Sequence, residues 1–99
     1  MTQPISRRVV VRHETQGVAV SNVRNLAADI IEPFIRGDFK RRERAEGHAA
    51  SLDYSGRLRG GKARPDIRER VVYDLQFVMD PPVAEKVAAA LDDAGLLAR

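Results

Sequence analysis

The sequence predicts an α+β fold, a small sheet of two to four strands packed by an amphipathic N-terminal helix and a C-terminal helix. Three observations predict it. Apolar residues alternate with period two over residues 7–14 and 70–79, the period of a half-buried strand. They recur at three-and-four spacing over residues 23–35 and 83–94, the stripe of an amphipathic helix. A segment rich in glycine and arginine, residues 53–66, separates the two halves. With 99 residues and no detectable internal repeat, the chain reads as a single domain over residues 1–99, large enough for one core.

Strand one is placed at Arg7 to Glu14, where Val9, Val11 and His13 alternate with Val10, Arg12 and Glu14. Thr15, Gln16 and Gly17 make a turn, after which Val18 to Val20 either pair back as a second strand or lead into the helix. Ser21 or Asn22 caps a helix carrying Val23, Leu26, Ala27, Ile30, Ile31, Phe34 and Ile35 on one face. Pro33 lies on the opposite face, so the carbonyl it frees would look at water, and a kinked helix is expected there. Gly37 and Asp38 punctuate the chain before a second helical stretch, Phe39 to about Ala50, whose apolar face is thin: Phe39, Ala45 and Ala49.

Glycines, Pro65 and scattered arginines make residues 53–66 a loop, longer than a compact domain ordinarily tolerates without a purpose. Arg70 to Met79 reads as the best strand, with Val71, Tyr73, Leu75, Phe77 and Met79 on its core face. Asp80 then caps a helix with Pro81 and Pro82 in its first turn and Val83, Val87, Ala90, Leu91 and Ala94 inward. Gly95 stops it, and Leu96 folds back on Leu91. Helices on one face of a small sheet follow from this order.

The net charge of +3 conceals an uneven distribution. Residues 36–70 hold eleven basic and six acidic groups, whereas residues 71–99 hold two and five. A positive middle beside a negative C-terminal third suits head-to-tail self-association as well as it suits nucleic acid. There is no cysteine, which excludes disulfides, thiolate metal sites and thiol catalysis. No apolar run approaches a membrane span and the N-terminus lacks a signal-peptide core, so a soluble, unexported protein with no membrane partner is expected.

No catalytic constellation emerges. Gly56 to Lys62 matches the first seven positions of a phosphate-binding loop pattern, but Ala63 stands where a hydroxyl should hold magnesium and Pro65 blocks the helix that must follow. His13 and His48, the two histidines, cannot build a metal site without further ligands. The expectation is a non-enzyme with no catalytic residues, metal, cofactor or small-molecule substrate. What remains is two basic clusters, Lys40, Arg41, Arg42, Arg44 and Arg57, Arg59, Lys62, Arg64, with Tyr54 between them. Residues 38–66 are therefore expected to form an exposed, partner-facing region. The first cluster is equally explained as a solvated helix laced with pairs such as Arg42 with Glu46.

The run Asp53, Tyr54, Ser55, Gly56, Arg57, Leu58, Arg59, after a basic helix and before an expected strand, resembles a signature of small tail-completion and neck proteins of long-tailed phages. That signature reads aspartate, threonine, glycine, arginine, leucine, arginine. Here Tyr54 is inserted, Ser55 replaces the threonine, and Gly60 and Gly61 stand where serine and isoleucine are usual. The resemblance implies a virion structural subunit, found in the virion or the host cytoplasm, that forms a homo-oligomeric ring at the head-to-tail junction and meets other virion proteins. Arg57 and Arg59 would be its contacts, with Gly56, Gly60 and Gly61 permitting close backbone approach. On this reading, reversing the charge of both arginines leaves the monomer folded. The competing class is a small basic module that binds nucleic acid or inhibits a host nucleic-acid enzyme.

Overall fold

Residues 22–99 are described by a computed structural model, and among them four helices share one apolar core. Helix α1 covers residues 22–31 and ends in a 3-10 turn, Glu32–Phe34. Helix α2 is Arg41–Tyr54, α3 is Ile67–Leu75 and α4 is Pro81–Asp93. The 3-10 turn packs on α2, α2 on α3, and α3 makes its most extensive contact with α4. The strand read at residues 7–14, the open question at 18–20 and the Ser21 cap lie outside the described residues.

The expected sheet is not found among the described residues. Among the described residues no strand forms, and residues 70–79, read as the best strand, contribute most of their length to α3. The reason is a second pattern under the alternation. Ile67, Val71 and Leu75 recur every fourth residue and are all buried, whereas Tyr73 and Phe77, assigned to the same core face of a strand, are 62% and 75% exposed. At helical spacing those two rings meet each other instead, edge to face with centroids 5.4 Å apart. Packing against α4 thus overrides the strand propensity of the Val71, Val72, Tyr73 run.

The α1 stripe is largely as read. Val23, Ala27, Ile31 and Ile35 are buried, Ile30 and Phe34 are partly buried against the core, and Leu26 is left more exposed. Pro33 ends the α-helix rather than kinking it, since the chain tightens to the 3-10 turn and is extended at Ile35. Helix α2 starts two residues later than expected, behind Lys40 in the left-handed region, and runs on to Tyr54. Its thin face is Ala45, Ala49 and Leu52, while Phe39 stays outside.

Two helix ends organise everything that matters for the site. In α4, Gly95 at φ +72° lets its own N–H donate to the Asp92 carbonyl and that of Leu96 to the Leu91 carbonyl. In α2, Gly56 at φ +75° does the same, its N–H donating to Asp53 and that of Arg57 to Leu52. Both are Schellman endings, which favour glycine at the left-handed position. The two exits then run antiparallel: Arg59 N–H donates to the Leu96 carbonyl at 2.7 Å and Ala98 N–H to the Arg57 carbonyl at 2.9 Å, forming an isolated bridge between Leu58 and Leu97. Leu58, Leu96 and Leu97 are all buried.

Candidate functional site

The bridge converts a loop expected to be loose into one with a fixed root. Leu58 is fully buried, and the Gly61 N–H closes a turn on the Leu58 carbonyl at 2.8 Å. Successive residues of an extended segment point to opposite sides, so Leu58 turns into the core and Arg57 and Arg59 both point away from it; what separates the two arginines is the partner within reach. Arg57 donates from Nε to Asp74 of α3 at 2.8 Å, with side chains only 19% and 26% exposed. Arg59 is exposed and meets no carboxylate. Arg57 is therefore committed to the fold, which corrects its pairing with Arg59 as an outward contact.

The first basic cluster is likewise spent internally. Arg41 donates to the carbonyls of Glu32 and Pro33, and Arg44 to those of Arg36 and Phe39, so both satisfy carbonyls left open where α1 ends and the connection begins. Arg42 meets Asp29 and Glu32 from α1 and Glu46 in its own helix. Hydrogen bonds to Asp29, then Glu46, then Glu32 raise its proton affinity and keep it charged. Of this cluster only the Lys40 side chain makes no hydrogen bond, its ammonium lying over the Phe39 ring at 5.5 Å.

Among the described residues, the cations without a carboxylate partner are Lys40, Arg44, Arg59, Lys62, Arg64 and Lys86. Three of these, Arg59, Lys62 and Arg64, fall in the one pinned loop, and Tyr54 at the end of α2 is 93% exposed just before it. Gly56 serves the helix end rather than a partner's approach. The candidate site thereby narrows from ten residues to Tyr54, Arg59, Lys62 and Arg64. Sequence reasoning missed Arg68 and Arg99, which line a concavity together with Arg64. Their only signal was charge, and only the fold brings 64, 68 and 99 together.

His48 sits half-buried in a smaller hollow lined by Phe34, Ile35, Arg44, Val78 and Met79. Burial first, and the Arg44 charge second, lower its pKa below the usual 6.5. The unfolded chain binds a proton near 6.5 where the folded one resists, so this group's contribution is fully present above that pH. It is lost as pH falls through 6.5 toward the folded value. His48→Gln is expected to flatten the dependence of the melting temperature between pH 7 and pH 5, measured by circular dichroism against the parent.

Among the described residues there is no group of three or more histidine, cysteine, aspartate or glutamate side chains placed to hold a metal, and no helix long and apolar enough to cross a membrane. Helix α3 stands where the sequence predicted a strand after the Asp53 to Arg59 run. Compared with protein families, curated proteins and solved structures, the chain matches none.

Proposed function

We propose that this protein is a non-enzymatic assembly subunit that meets an acidic protein surface, in the first instance a second copy of itself, through Arg59, Lys62, Arg64 and Tyr54. The observation that carries the reading is the contrast within one loop: Arg57 is paired and shielded, while the next three cations have no partner on a root held by backbone hydrogen bonds. A fixed root lowers the ordering cost of the contact. A surface of net negative charge is offered by the same chain, since Glu69 and Glu85, both without an internal partner, line a shallow concavity between α3 and α4 together with Asp66, Val72 and a single cation, Arg68. Loop on concavity is a contact between unlike surfaces, and such contacts generate rings when the rotation closes. A ring subunit at a phage head-to-tail junction is the setting that the Asp53 to Arg59 resemblance adds to this reading.

Arg59→Glu with Lys62→Glu is expected to leave the far-ultraviolet circular dichroism unchanged, because neither side chain makes an internal contact. The same change should abolish self-association seen by native mass spectrometry across a concentration series, because reversed charges meet the partner's carboxylates. A parent that stays monomeric throughout, yet binds single- or double-stranded nucleic acid with a steep salt dependence, would replace assembly with the nucleic-acid reading, for which the exposed Tyr54 beside the cations offers a stacking platform.

A further inference from the structure

A concavity of about 590 Å³ lies between the loop at Ala63, Arg64 and Pro65, the first turn of α3 at Ile67 and Arg68, and the chain's last residue, Arg99. Three guanidinium groups from three separate segments line it. They face one carboxylate, Asp92 at the end of α4, which pairs with Arg68 at 3.5 Å and with Arg99 through its other oxygen. Arg64 has no partner. Three guanidinium groups against one carboxylate side chain give the hollow an excess of positive side-chain charge, and its remaining wall is apolar.

We propose that this cleft binds a phosphate group. A phosphate group meets that excess with several oxygens at once, and planar guanidinium forks match them, whereas a carboxylate offers two oxygens to three forks. The start of α3 reinforces the preference. Asp66 at its N-cap makes no side-chain bond to the helix amides and is held instead by Nε of Arg70 at 3.0 Å, so the positive end of α3 is not covered by a side-chain cap. Asp92 acts as a latch: it orients Arg68 and Arg99 while the cleft is empty, and it competes with the ligand. The glycines of residues 56–61 do not line the cleft, and the N–H groups of Gly56 and Gly61 are used by the α2 ending and the turn on Leu58. This is a different site from the phosphate-binding loop pattern that the sequence mimics.

The test is calorimetric titration of the full chain at low salt with inorganic pyrophosphate, inorganic phosphate and a single-stranded oligonucleotide. Pyrophosphate is expected to bind at one equivalent, and Arg64→Gln and Arg68→Gln should each weaken it roughly tenfold. Arg64→Gln breaks no internal hydrogen bond or ion pair, and an unchanged melting temperature would show that its effect is not a folding effect. Asp92→Asn should tighten binding several-fold, while Asp93→Asn, the same change of charge one residue outside the cleft, should leave it unchanged. An oligonucleotide that displaces pyrophosphate and loses affinity in Arg64→Gln assigns the site to a nucleic-acid backbone, and one that fails to displace it assigns the site to a small phosphate compound. The proposal is overturned if no probe binds, if binding is indifferent to both arginine variants, or if Asp93→Asn acts as Asp92→Asn does. Arg64 belongs to both readings, but Arg59 and Lys62 do not line the cleft, so Arg59→Glu with Lys62→Glu tests assembly alone and Arg68→Gln tests the cleft alone, which keeps the two failures distinguishable.

Discussion

Leu58→Ala is expected to lower stability by about 3 to 4 kcal/mol, the cost of removing a fully buried leucine from a site that cannot collapse around the loss. The backbone on both sides of Leu58 is fixed, by the α2 ending before it and by the bonds to Leu96 and Ala98 across the bridge, so the neighbouring chain cannot fold inward to fill the space. Urea unfolding monitored by circular dichroism should show an earlier midpoint with an unchanged slope. A loss under about 1 kcal/mol would mean that the glycine-rich loop is not seated in the core. The same truncation at Leu26, the most solvated apolar position of α1, serves as the low-effect reference.

Arg57→Glu is the second large effect, at about 2 to 3 kcal/mol, below the cost of breaking a fully buried pair because both partners keep some access to water. The new carboxylate would face Asp74 across a shielded gap and repel it, while the loop root lost its tie to α3. Arg59→Glu, two residues away, should cost almost nothing. Exchanging the charges in Arg57→Glu with Asp74→Arg should recover much of the loss, and a double-mutant cycle would read out the coupling directly. Equal, small effects at 57 and 59 would restore the picture in which both arginines point outward.

The local punctuation of this fold was legible in the sequence, and its long-range consequences were not. Asp80, Pro81, Pro82 and Gly95 bracket α4 where the rules of helix ends put them, and the α1 stripe held because its spacing is unambiguous. Residues 70–79 failed because they satisfy two periods at once; only the presence of α4 decides whether Tyr73 joins Val71 or leaves it. Composition alone put forward Tyr54, Arg59, Lys62 and Arg64, and the structure leaves these side chains without an internal hydrogen bond or ion pair. Arg57 was misassigned because nothing adjacent to it announces Asp74, seventeen residues on. Gly56 was readable as a helix end, being of the same type as Gly95, but the break expected at Asp53 hid the last turn of α2.

The bridge between Leu58 and Leu97 also sets an order of events during folding. Helices α1 and α2 can pair as soon as both exist, with Arg41 and Arg44 already supplied with the carbonyls they bond. The root of the cationic loop cannot close until residues 96–98 have been synthesised, since its cross-chain hydrogen bonds come from them. Closure across so much intervening chain is entropically late. On the ribosome, then, the nascent chain passes through a stage in which Leu58 awaits the segment it bridges to, and the loop root takes shape only once residues 96–98 are in place.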